Sequence, residues 1–130
     1  MPITPNRTIV VIEDQDFTDR VIRGALRKRP FDIVTAHDGE TGLELVKAIK
    51  PDLVLLDISL PKMDGWQVLA GIRATDDVAQ TPVVLVTAQG HAASDSRVGA
   101  LSVEDVLTKP FLVRQLRDAV DAVMERLAAA

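Results

Sequence analysis

The chain has no cysteine and no tyrosine, and aromatic residues make up only 3% of its 130 positions. Without thiols there are no disulfides, no thiol catalysis and no cysteine-held metal; a reducing, cytoplasmic setting is the expectation. So few aromatics leave no stock for the stacking platforms that grip single-stranded nucleic acid. A net charge of −4 also speaks against a phosphate-tracking surface, so no direct nucleic-acid partner is expected. No apolar run approaches the roughly 20 residues that span a bilayer, and the start, MPITPNRT, lacks a signal-peptide core. No membrane role is expected. The two histidines, His37 and His91, stand alone and suggest no metal site.

What is present is ordinary globular material, 47% hydrophobic and 26% charged, in a length that suits one domain. Residues 1–7, with two prolines, read as a loose arm, 8–127 as the domain and 128–130 as a tail. Thr8 to Ile12 is β-branched throughout and reads as a buried strand, with Gln15-Asp16 offering a cap for the helix that follows. In that helix Phe17, Val21, Ile22, Ala25 and Leu26 recur at helical spacing, and Pro30 ends it. Arg20, Arg23 and Arg27 line its other side and read as a solvated face.

Phe31 to Ala36 is a second strand, and Thr41 to Lys50 a second helix with Pro51 as its stop. Leu53 to Leu56 is uniformly apolar, as in a strand buried on both faces, and it ends on the carboxylate of Asp57. By itself such an acid is more often a turn cap than a catalyst. Gly65 to Ala74 forms a third helix with Trp66, Leu69 and Ile72 on one side. Pro82 to Thr87 is a fourth strand. The expected fourth helix, His91 to Leu101, is the poorest, with little apolar face and Gly99 inside it. Val103 to Thr108 gives a fifth strand. After Lys109-Pro110-Phe111 comes a last helix striped by Leu112, Leu116, Ala119, Val120, Val123 and Leu127. Gly42 and Gly71 inside helices cost stability unless they permit close packing.

Strands alternating with helices imply right-handed βαβ units and a parallel α/β sheet covered on both faces. All strand C-termini then share one edge, where such sheets keep their binding crevices. That edge collects Glu13 and Asp14, Asp57, Thr87 and Lys109. Three close carboxylates repel unless a cation neutralises them, and an all-oxygen set suits Mg²⁺. Such a site handles a phosphoryl group: metal and lysine draw off charge, a hydroxyl donates, and a carboxylate attacks.

Glu13-Asp14 after a β-branched strand, PDLVLLDISLPKMDG around Asp57, VVLVTA ending at Thr87-Ala88, and LTKPF at Lys109 together resemble the receiver domain of bacterial two-component response regulators. The likeness runs from about Thr8 to Leu127. It implies a flavodoxin-like, doubly wound five-stranded sheet in the order 2-1-3-4-5 with five helices. It implies that Asp57 is the phosphoacceptor, loaded by a sensor histidine kinase or a histidine phosphotransfer protein. Asp14, Asp57 and the Ser59 backbone carbonyl would hold Mg²⁺, with Glu13 acting through a water. Lys109 would pair with phosphoryl oxygens, and Thr87 would move toward them as a switch. The Lys109-Pro110 bond is expected to be cis, as in relatives. Ser59 and Gln89 occupy positions that tune acyl-phosphate lifetime in relatives.

Val106 departs from the pattern, because relatives carry an aromatic switch there and valine is small and stiff at χ1. The relay to the face between the fourth and fifth helices is therefore open, and the fourth helix is expected to be mobile or ordered by phosphate or a partner. The leading expectation is a single-domain regulator that signals to a downstream protein by contact. It would turn over no separate substrate, catalysing only its own Mg²⁺-dependent phosphorylation and autodephosphorylation. A pseudo-receiver that binds partners without phosphorylation, or a receiver excised from a hybrid kinase, are the alternatives. A flavin protein would want a glycine-rich phosphate loop where Glu13-Asp14-Gln15-Asp16 stands. An aspartate-nucleophile phosphatase would place its acid after the first strand.

Overall fold

A computed structural model describes residues 6–129. Five parallel strands lie in the order β2-β1-β3-β4-β5, where β1 is Arg7–Ile12, β2 Phe31–Ala36, β3 Leu53–Leu56, β4 Val83–Thr87 and β5 Asp105–Thr108. The helices are α1 (Asp16–Leu26), α2 (Gly39–Ile49), α3 (Gly65–Arg73), α4 (Ser96–Ala100) and α5 (Val113–Ala129). Alternation along each strand divides the core in two. Val10, Ile12, Val54, Leu56, Val83 and Leu85 face α2 and α3. Ile9, Val11, Leu53, Leu55, Val84 and Val86 face α1 and α5. The central strands β3 and β4 are buried along their whole length, whereas the edge strands β2 and β5 are only partly so. The strand order is the flavodoxin-like one that the resemblance implies.

Several boundaries differ from expectation. β1 begins at Arg7, which pairs with Asp52, so the arm loses that residue; 1–5 and 130 lie outside the described residues. Gln15 stands at the α1 N-cap position without a side-chain cap bond. α2 starts two residues early because Asp38 caps it, accepting from the Thr41 N–H at 2.7 Å. Phe17 does not join the core; it is 72% exposed in the first turn of α1, beyond the sheet edge. Leu112 is 61% exposed and precedes α5, its N–H bound to Gln115 Oε1 at 2.8 Å in the manner of a cap rather than a core residue.

The fourth helix departs most. His91 to Leu101 yields one 3₁₀ turn, Ala92–Ser94, and the five-residue α4. Asp95 interrupts them as the α4 N-cap, and α4 buries no residue, so no apolar face extends the helix. Ser102 then turns at φ 56°, and β5 starts at Asp105 instead of Val103.

The two helical glycines are packing devices. A Cβ on Gly42 would stand 2.6 Å from Ile12 Cδ1, and one on Gly71 2.7 Å from Leu43 Cδ2. Gly24 in α1, by contrast, has nothing within 4 Å of the same position. Gly42→Ala should therefore lower the unfolding free energy by about 1–2 kcal/mol, overpacking outweighing the helix gain. Gly24→Ala should raise it by about 0.5–1 kcal/mol. Urea denaturation of both variants checks the opposite signs; equal signs would reject this packing account.

Candidate functional site

The site sits where β1, β3, β4 and β5 end. A parallel sheet brings those ends to one edge, and the chain places a polar or charged residue at each. Glu13 follows β1 directly, its N–H donating to the Ala36 carbonyl at 3.0 Å. Asp57 follows β3, its N–H donating to the Ile12 carbonyl at 3.0 Å. Both are extensions of the ladder, so the sheet itself fixes where their side chains start. Glu13 is 2% exposed and Asp57 4%.

Lys109 lies between them. Its Nζ donates to Asp57 Oδ2 at 2.9 Å and to Glu13 Oε1 and Oε2 at 2.9 and 3.1 Å. Its backbone N–H bonds to the Thr87 carbonyl at 2.8 Å, carrying the β4–β5 pairing one residue past the strands. The Lys109-Pro110 bond is cis, as expected. Burial opposes the lysine charge, but the two carboxylates prevail and raise its ammonium above the ordinary value. The Glu13 carboxyl is pushed up to about 7, chiefly by burial, with Lys109 opposing the rise and Asp57 adding to it. One buried ammonium does not neutralise this cluster.

Asp14 is exposed at the rim, and Glu13, Asp14 and Asp57 each offer an oxygen within 4.8 Å of the others. Three carboxylates with one lysine are a hard, anionic, all-oxygen set with a charge deficit, which fits Mg²⁺. Asp57 also behaves partly as the turn cap that the lone residue suggested, since Oδ1 accepts the Ser59 N–H at 3.1 Å. One oxygen thus orders the loop while the other faces the lysine.

Thr87 ends β4 and is fully buried, its hydroxyl oxygen accepting the Gln89 N–H at 3.3 Å. Among the described residues it makes no side-chain hydrogen bond to Asp57 or Lys109. Val106 registers with Leu85, so strand alternation sets it on the same sheet face as Thr87, partly buried against the α2–α3 core. Ser59 and Gln89 meet across the mouth, Gln89 Nε2 donating to Ser59 Oγ at 3.1 Å.

Gln15, read from the sequence only as a cap, belongs to the site. Its N–H donates to Glu13 Oε1 and its Oε1 accepts from Lys109, both at 3.3 Å. The signal available was its place two residues after Glu13 at a strand end. Gly65 is the other omission: a Cβ there would run into the Asp57 carbonyl oxygen. Only glycine lets α3 start against the Asp57 backbone. Phe17 gains a different setting, lining with Gln15, Thr18, Val21, Pro110 and Phe111 an open depression of about 510 Å³ beside Lys109. Arg20, Arg23 and Arg27 are exposed, as a solvated face should be. No helix among the described residues is long and apolar enough to cross a membrane.

Comparison with known proteins agrees with this architecture. The family model for the response regulator receiver domain matches residues 9–121. A probable chemotaxis protein CheY of Rhizobium etli is 30% identical over 128 residues, covering 98% of this chain and 99% of that protein. The alkaline phosphatase synthesis transcriptional regulatory protein PhoP of Bacillus subtilis is 31% identical over 121 residues, 93% of this chain but 50% of PhoP. The chain thus spans about half the length of some of the regulators it matches and nearly all of others. Among solved structures, the REC domain of AraT, a response regulator from Geobacillus stearothermophilus, superposes with a TM-score of 0.83 at 25% identity, over 95% of this chain and 96% of that one. With the acidic pocket, the buried lysine and the strand order all in place, the chain belongs to the response regulator receiver domain family of two-component signalling.

Proposed function

We propose that this chain accepts a phosphoryl group on Asp57 from a phosphohistidine of a sensor histidine kinase or phosphotransfer protein, and signals by contact with a downstream protein. The observation that carries it is Lys109 Nζ held 2.9 Å from Asp57 Oδ2 inside a buried acidic pocket. Asp57 provides the nucleophile: a carboxylate oxygen attacks phosphorus in line as the P–N bond to imidazole breaks. The imidazole leaves with the electron pair and takes a proton, and an aspartyl phosphate remains. Lys109 would follow the negative charge from Asp57 to the phosphoryl oxygens, and the Thr87 hydroxyl would donate to another.

Asp14, Asp57 and the Ser59 carbonyl would hold Mg²⁺, with Glu13 acting through a water. Bound there, the ion would supply the positive charge that this pocket lacks. Ser59 and Gln89, bonded to each other beside Asp57, would influence the access of hydrolytic water to the acyl phosphate. The depression beside Lys109, rimmed by exposed Phe17, offers apolar surface to the phosphohistidine partner.

Incubation with Mg²⁺ and a small acyl-phosphate donor should add one hydroxylamine-labile phosphoryl group by intact mass. Asp57→Asn should abolish the adduct, and Lys109→Ala should slow its formation about 10²–10³-fold. An adduct that survives Asp57→Asn would overturn the assignment, and absence of any adduct would favour a pseudo-receiver that acts by contact alone. Mg²⁺ alone should raise the thermal midpoint, worth about 2.7 kcal/mol at a hundredfold excess over its Kd. Chelation should reverse the rise and Asp14→Asn should remove most of it.

A further inference from the structure

No α4 residue is fully buried, Val98 packing only partly against the core, and the polar anchors of α4 run to α3. At the start of α3, the Trp66 ring lies against the Arg97 guanidinium, with Cζ 4.2 Å from the ring centroid. Trp66 is 8% exposed and packs in the core between sheet and helices, so the ring is a fixed platform. Arg97 is held on it by Asp95, through Nε at 3.0 Å and a second guanidinium nitrogen at 2.8 Å. Asp95 also caps α4 by accepting the Arg97 N–H at 2.9 Å. The cap, the cation and the ring are one unit.

At the far end of α3, Arg73 uses its donors on backbone carbonyls. Nε donates to the Leu101 carbonyl at 2.8 Å and one terminal nitrogen to that of Ser102 at 3.3 Å, just past α4. The other terminal nitrogen reaches Ala79 at 3.1 Å and Thr81 at 2.7 Å, before β4. Both ends of α3 therefore grip the α4 segment.

The start of α3 is in turn built on the acceptor loop. The Gly65 N–H donates to the Ile58 carbonyl at 2.8 Å, and Gly65 is pressed against the Asp57 carbonyl. The capping box of Asp64 and Gln67 stiffens that first turn, with bonds of 2.9 and 3.0 Å. Gly65, in backbone contact with Asp57, directly precedes Trp66, whose ring carries Arg97.

We propose that α3 couples the state of Asp57 to α4, through the Trp66–Arg97 stack at its start and the Arg73 clamp at its end. A change at the acceptor loop that shifts the α3 start must carry the ring with it. Arg97 then either follows, moving the α4 cap, or loses its stack. Coupling of this kind is reciprocal, so whatever settles α4 also biases the acceptor loop. The coupling rests on Asp57 being the site that changes state, and its test keeps the two ideas apart.

Trp66 is the chain's only tryptophan, so its emission reports this junction directly. Wild type and Arg97→Gln are compared without metal, with Mg²⁺, and with Mg²⁺ plus an acyl phosphate. Trp66 emission, hydrogen exchange over residues 96–102 and intact mass are read on each sample. In wild type, emission and exchange should change together. Arg97→Gln should form the adduct at the wild-type rate and raise basal exchange of 96–101 roughly two- to fivefold. Its exchange should no longer respond to the state of the site. A full exchange response in Arg97→Gln, a response with static Trp66 emission, or no response in wild type overturns the coupling. If the mass shows no adduct, the acceptor reading fails by itself, and the coupling is judged by the same criteria on Mg²⁺ alone.

Discussion

Glu13, Asp57 and Lys109 come from three different strand ends, yet one ammonium is shared between the two carboxylates at hydrogen-bonding distance. The whole edge is arranged around that sharing. Burying two acids is costly, and the lysine offsets the cost only in part, which is why burial still drives the Glu13 carboxyl upward. A pocket with unspent negative charge at its rim, where Asp14 is exposed, would favour a hard cation. The attraction that would recruit Mg²⁺ and the tension in the cluster have the same origin.

The sheet makes this placement inexpensive. Glu13 and Asp57 need no loop to hold them, because each extends a ladder by one hydrogen-bonded residue, and Lys109 extends the β4–β5 pairing in the same way. All three side chains start from backbone that the sheet hydrogen-bonds. Ser59 and Gln89 follow in the adjoining loops and are bonded to each other across the mouth of the site.

The two core layers have different tasks. On one face α1 and α5 pack against the sheet, tied by Arg29 to Asp121 at 2.7 Å and by Arg117 to the Ala25 carbonyl at 2.8 Å. On the other face α2 and α3 pack closely, with Gly42 and Gly71 admitting Ile12 and Leu43, while α4 has no fully buried residue and only Val98 partly packed against the core. Val106 lies there with Thr87, a small branched side chain in place of a large ring, and α3 supplies the polar grip that α4 has.

The apolar runs of β1, β3 and β4 declared themselves because strands buried on both faces need apolar residues at every position. Their C-terminal acids and the Thr87 and Lys109 ends were therefore locatable as one set before any coordinates. Periodicity misplaced Phe17 and Leu112, since an apolar residue at helical spacing says nothing about whether the sheet extends far enough to cover it. It also overextended the fourth helix, where spacing does not reveal that Asp95 caps a new turn. Gln15 and Gly65 joined the site only through space, one by reaching Lys109 and the other by lacking a Cβ beside Asp57. By itself, then, the order of residues determined the α/β fold and the edge on which the chemistry gathers, because both follow from local patterning. Which oxygen faces the lysine, which acid carries the burial cost and which helix grips α4 were decided by tertiary packing, because each depends on distances between residues far apart in the chain.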